Sequence, residues 1–129
     1  MIPENENLEA RFGTDSAYTI ERTSDLPLAF EGWLVAAGAV GDAADPDDWD
    51  RFTRVRLYIT KSRKYVIQVQ KGSRTGRHVS DAHASVVFEA CVAWIRENNN
   101  GKLGGATSAM LKEAEGAIPW LRDVGVVRV

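Results

Sequence analysis

Apolar and polar residues alternate most regularly between Arg51 and Val69, RFTRVRLYITKSRKYVIQV. Val55, Leu57 and Ile59 take every second position of the first half, with Arg54, Arg56, Tyr58 and Thr60 around them. In the second half Tyr65, Ile67 and Val69 alternate with Val66, Gln68 and Gln70. A two-residue period of β-branched and aromatic side chains predicts two half-buried strands, since a helix would scatter these residues around its circumference. The pattern therefore predicts a hairpin over 52–70. A two-residue turn at Ser62-Arg63 would pair Ile59 with Val66 and Leu57 with Gln68, placing glutamines on the apolar face. An odd loop, Ser62 to Lys64, sets Ile59 against Ile67 and Leu57 against Val69, so burial selects it. The face left over carries Arg54, Arg56, Tyr58, Gln68 and Gln70.

Weaker patterns flank the hairpin. Residues 1–16 read as a polar lead-in, mobile at its start, with Leu8 and Phe12 spaced for one helical turn that can dock on the domain, and 17–129 as a single domain. Tyr18 to Arg22 alternates enough for a short strand. Ala29 to Val40 predicts a longer one, with Phe30, Leu34 and Ala36 on one face and Trp33 and Val35 on the other. Asp45-Pro46-Asp47-Asp48 has the form of a helix start. Ala84, Val87, Phe88, Cys91, Trp94 and Ile95 form one apolar stripe at three- and four-residue spacing, which predicts a helix over about 81–99, capped by Ser80 or Asp81 and closed at Gly101. A second helix is predicted over about 107–117, capped by Thr107 or Ser108 and ended by Pro119. Trp120 and Leu121 read as a short turn, and Val124 to Val129 as strand-like. Strands first and helices last give an α+β layer: an antiparallel sheet of three to five strands centred on the hairpin, with two C-terminal helices on one face.

Composition changes the picture little; charge placement changes it more. The 129 residues carry a net charge of −2 and 44% apolar residues, the profile of one globular domain with its own core. Residues 1–50 hold twelve acidic and two basic side chains, residues 51–78 nine basic and no acidic ones, and the remainder six acidic and five basic. Cys91 is the only cysteine, which rules out an internal disulfide and points to a reducing compartment. The beginning, MIPENENLEA, lacks the apolar core of a secretory signal, and the run Trp33–Val40 is too short to span a bilayer. A cytoplasmic location is expected.

Candidate chemistry fails on spacing. His78 and His83, five apart, do not share a helix face and bring too few partners for structural zinc. The aspartates from Asp42 to Asp50 miss the calcium-loop template at its fifth, sixth and twelfth positions, where Trp49, Asp50 and Arg56 stand. GKLGGATS lacks the lysine after the last glycine and the preceding strand of a phosphate-binding loop. Cys91 lies on the core stripe, and no nucleophile elbow is present. The sequence therefore predicts no catalytic residue, no metal and no cofactor.

What remains is a basic surface at Arg54, Arg56, Tyr58, Lys61, Arg63, Lys64, Arg74 and Arg77. The favoured reading is a small non-enzymatic, regulatory binding domain that contacts a protein partner or a second copy of itself. Trp33 and Trp120 would serve as anchors and the charge separation would steer approach. The second reading is nucleic acid, with arginines on phosphates, Tyr58 stacking on bases and the turn lysines reaching a groove. Against both stands a plainer use of the same charges, which either keep edge strands from aggregating or neutralise the acidic first fifty residues.

Overall fold

The hairpin forms as two strands, β3 (Arg51–Thr60) and β4 (Tyr65–Ser73), in a computed structural model that describes residues 1–40, 51–73, 78–99 and 101–121. Their register pairs Ile59 with Tyr65, Leu57 with Ile67 and Val55 with Val69. The loop has odd length, as burial demands, but it comprises Lys61 to Arg63 and shifts the predicted pairing by two residues. The turn geometry decides this. Arg63 takes a left-handed φ of 66°, its N–H donates to Thr60 O (2.9 Å), and Thr60 N–H donates to Lys64 O (2.9 Å). A tight turn followed by one left-handed residue is the common three-residue hairpin connection.

Around the hairpin the chain builds a five-stranded antiparallel meander in simple sequence order: β1 (Ser16–Ile20), β2 (Leu28–Val40), β3, β4 and β5 (Val79–Ser85). Among the described residues three helices accompany it, α1 (Leu8–Phe12), α2 (Phe88–Glu97) and α3 (Gly105–Ala117), and Pro119–Leu121 adds a 3-10 turn. The α+β class and the two C-terminal helices agree with the apolar pattern. Helix α2 begins at Phe88, later than the pattern implied, because Val79–Ser85 pairs with the free side of β4 as a fifth strand. Ser80 and Asp81 therefore cap no helix; Asp81 Oδ1 accepts from Ala82 N–H (2.9 Å). Neither Thr107 nor Ser108 caps α3, whose cap position is Gly104. The expected helix start at 45–48 and the strand-like 124–129 lie outside the described residues.

One sheet face carries Trp33, Ala36, Val55, Leu57, Ile59, Tyr65 and Ile67, and packs against Phe88, Cys91 and Ile95 of α2 and Ala106, Met110 and Ala114 of α3. Each large apolar side chain fully buried there stabilises the fold by about 1.5–3 kcal/mol. A bulge between Leu34 and Ala36 in β2 turns Trp33 and Ala36 to this core side. Trp33 is buried, and its Nε1–H donates to Gly13 O (2.8 Å), so it offers no exposed anchor. The N-terminal stretch forms the expected helical turn at Leu8–Phe12, and its start is docked where mobility was expected. Ile2 and Leu8 both enter the core, and Asn7 caps α1 by accepting from Ala10 N–H (3.0 Å).

On the opposite face the sheet curls until its edges meet. Thr23 N–H donates to Ser80 O (2.7 Å), Ser80 N–H to Thr23 Oγ1 (2.9 Å), and Ser80 Oγ to Glu21 O (2.7 Å). The chain just beyond β1 is thereby clasped to β5, from the far edge of the same sheet. This clasp and the Asp81 bond to Ala82 occupy edge groups that would otherwise template pairing with another chain.

Candidate binding surface

The curled face divides along its length. Near the hairpin turn it closes over a second, small core of Ile20, Tyr58, Val66 and Ala82, with Tyr18, Leu28 and Phe30 against it. Tyr58 is 3% exposed. Tyr18 and Phe30 meet its ring at centroid distances of 4.9 and 5.4 Å, both edge-on, and its hydroxyl bonds Gln68 Oε1 at 3.1 Å. Gln68 Nε2 in turn donates to Ser80 Oγ (3.3 Å), which ties three strands to the clasp. The Tyr58 ring faces are covered, and a stacking base has no access to them.

Toward the other end the same face becomes polar and basic. Arg56 pairs across the strands with Gln68, Arg54 with Gln70 and Phe52 with Gly72. Phe52 organises this end. The Arg54 guanidinium lies 5.7 Å over its ring, and the His78 ring packs against it at 5.6 Å. Gly72 makes that contact sterically feasible, since a Cβ there would come within 2.4 Å of Phe52 and 2.7 Å of His78 Nδ1. Between these side chains and the clasp lies a cleft of about 590 Å³, to which Lys71, Gln70 and Ser80 also contribute.

The cations predicted as one surface thus fall into separate groups. Arg54 and Arg56 belong to the curled face. Lys61, Arg63 and Lys64 sit at the turn, about 20 Å away from Arg54 along the strand at roughly 3.3 Å per residue. Two of these three are engaged with the N-terminal stretch: Lys61 Nζ lies 3.6 Å from Asp15, and the Arg63 guanidinium donates to the carbonyls of Pro3 and Glu6. Arg74 and Arg77 lie outside the described residues. Among the described residues, Arg54, Arg56, Lys64 and Lys71 have no carboxylate partner, and the ion pairs present join Arg11 to Glu6, Arg22 to Asp25 and Lys61 to Asp15. Trp120 is half-buried, and its Nε1–H donates to Tyr65 Oη (2.7 Å). His83 is on β5 and stacks on Trp94 at 5.6 Å. The cleft was missed in sequence because Lys71, His78 and Ser80 meet only through the β4–β5 pairing.

A second groove, also about 590 Å³, runs between the sheet and the two long helices, lined by Val55, Val69, Trp94, Ile95 and Leu103. No group of three or more metal-ligating side chains occurs among the described residues. No helix among them is long and apolar enough to cross a membrane.

Buried acids set one pH dependence. Burial pushes the Cys91 thiol up to about 12. Burial also raises Tyr58, with the Arg56 guanidinium opposing the shift, and raises Tyr65, with the Trp120 hydrogen bond opposing it. The unfolded chain releases these protons at a pH where the folded chain still holds them, so stability is complete below the unfolded values and falls as pH rises through them. The urea midpoint is expected to drop between about pH 8 and pH 10.5, a range that spans the ordinary cysteine and tyrosine values. Iodoacetamide should label Cys91 only in the denatured chain; rapid labelling of the native chain would contradict its burial.

Comparison with protein-family models, with curated proteins and with solved structures finds no match to this chain.

Proposed function

We propose that this chain is a small binding domain that holds an acidic protein partner on the basic half of its curled sheet face, at Arg54 and Arg56. One observation carries this reading. Two guanidiniums on one face have no carboxylate partner among the described residues, and one of them, Arg54, lines a cleft with Gln70 and His78. Arginine's planar fork suits bidentate capture of a carboxylate. The turn cations contribute less to a partner, because Lys61 and Arg63 already hold the N-terminal stretch. Covered ring faces on Tyr58 favour carboxylates over unstacked bases as the recognised groups.

Fluorescence anisotropy of labelled polyglutamate, duplex DNA and single-stranded RNA across a salt series tests the reading. Polyglutamate is expected to bind, more weakly as salt rises. Changing Arg54→Ala and Arg56→Ala together should weaken it at least tenfold, since each charge-assisted bond is worth about 1.5–3 kcal/mol. The unfolding free energy from urea titration should stay within about 0.5 kcal/mol of the parent, as for other surface substitutions. Tighter binding of either nucleic acid, or polyglutamate binding untouched by the double change, would overturn the reading.

A further inference from the structure

The cleft beside the basic half contains one feature that surface charge alone leaves unexplained. Gln70 Oε1 is shut away from solvent and accepts no hydrogen bond. Buried polar atoms are almost always paired, and leaving one unpaired is destabilising. Gln70 lies directly across from Arg54 in the β3–β4 register, and its side chain lines the cleft together with Lys71, His78 and Ser80. A small rotation of its carboxamide would bring the unmet oxygen to a donor entering the cleft. The neighbouring Arg54 guanidinium calls for an anion at the same place. A ligand that supplies both, a carboxylate and an N–H a few ångströms from it, is an acidic residue of a peptide together with an adjoining backbone amide.

We infer that the cleft is the subsite for one acidic residue of an extended partner segment: its carboxylate sits on the Arg54 guanidinium, and the neighbouring peptide N–H donates to Gln70 Oε1. This rests on the acidic-partner reading above and makes it specific. Phe52 sets the position of Arg54 from beneath, and the clasp at Thr23 and Ser80 forms the opposite wall. Glu21 stands at the rim, exposed, and disfavours a second carboxylate on that side. The chemistry selects a chain with isolated acidic residues and free backbone amides over a free inorganic anion, which has no N–H to give.

The test uses the full chain, an acetylated and amidated Ala-Glu-Glu-Ala peptide, the same peptide N-methylated at the amides flanking its glutamates, and inorganic phosphate. Binding is followed by the amide chemical shifts of Gln70, Lys71 and Ser80. Arg54→Ala should weaken the plain peptide about tenfold, the scale of one charge-assisted bond. Gln70→Leu should weaken it about fivefold, N-methylation should weaken it equally, and the two changes together should do no more than either alone. Gln70→Met, closer in shape, repeats the measurement should the leucine variant fold poorly. Independent, additive losses from Gln70→Leu and N-methylation would overturn the inference, as would phosphate binding as tightly as the peptide. Polyglutamate binding that needs Arg54 and Arg56 but ignores Gln70 would reject the cleft and leave the broader reading standing. Failure of every acidic chain to bind would remove both.

Discussion

Gly38→Val is expected to abolish cooperative unfolding, and Gly38→Ala to lower the thermal midpoint by about 8 °C. Helix α3 lies on β2 with no side chain between the backbones at this point. A Cβ on Gly38 would stand 2.2 Å from Ala106 O, 2.5 Å from Met110 N and 3.0 Å from Ala109 Cβ. Two of those three atoms are helix backbone and cannot swing aside, so relief requires lifting the N-terminal half of α3. That movement uncovers Ala106 and Met110, which are both fully buried. Overpacking a single methyl typically costs 1–3 kcal/mol, and about 2 kcal/mol corresponds to roughly 8 °C in a chain of this size. Valine adds two more carbons at the same point. Its strain then approaches the whole stability of a small domain, about 5–15 kcal/mol. Gly116, on the exposed side of the same helix, is the control: nothing lies within 4 Å of an added Cβ. Gly116→Ala should raise stability by about 0.5–1 kcal/mol through helix propensity. Circular dichroism melts of the three variants check the pair, and equal effects at the two sites would mean that α3 does not rest on Gly38.

A glycine inside a predicted strand suggests a bulge or a close backbone approach, but helix α3 as the partner of Gly38 was not legible in the sequence. The legible features were those written in local periodicity. Val55, Leu57, Ile59, Ile67 and Val69 gave the hairpin and its core face, and the stripe from Phe88 to Ile95 gave α2. Features that depend on neighbours distant in the chain were hidden. Val79–Ser85, VSDAHAS, carries small and polar residues and a credible helix cap, so local preference favoured a helix. The open side of β4 makes it a strand. The predicted register was off by two because the turn is placed by Arg63, and Arg63 is placed by carbonyls from the other end of the chain. Tyr58 alternates with the polar set, yet the curl of the sheet encloses it between Tyr18 and Phe30. No two-residue period encodes curl. The same limit applied to the candidate surface: alternation correctly put Arg54 and Arg56 on one face, but it could not separate them from the turn cations 20 Å off by strand geometry.

The basic block seen in the sequence is thus divided between two ends of one hairpin. At the turn, positive groups are consumed in holding the first residues: Lys61 faces Asp15, and Arg63 reaches Pro3 and Glu6. At the other end, Arg54 and Arg56 have no carboxylate partner among the described residues. Stability and binding should therefore respond to different arginines.

Arg63→Ala is expected to destabilise the fold by about 3 kcal/mol, and Arg63→Gly by about 1 kcal/mol less. Two effects of opposite sign meet at this residue. Its guanidinium donates to Glu6 O (3.1 Å) and to Pro3 O, charge-assisted bonds that pin the stretch carrying Ile2 and Leu8 into the core. Losing them removes the bonds themselves, each worth about 1.5–3 kcal/mol at most, and loosens two buried apolar side chains. Its backbone, at φ 66°, occupies a region that disfavours any residue with a Cβ by roughly 1–2 kcal/mol. Alanine loses the bonds and keeps the strain, whereas glycine loses the bonds and sheds it. Arg63→Lys keeps one charge but no fork, so it should hold one carbonyl and fall between the parent and alanine. Urea titration of the three variants reads the order directly. Glycine no better than alanine would remove strain from the explanation, and a loss near zero for both would remove the tether. Polyglutamate binding supplies the final contrast: with the N-terminal stretch loosened but Arg54 and Arg56 intact, affinity should stay within about twofold of the parent, because surface substitutions away from a contact are nearly neutral. A loss as large as that of the Arg54, Arg56 variant would move the docking surface back to the turn.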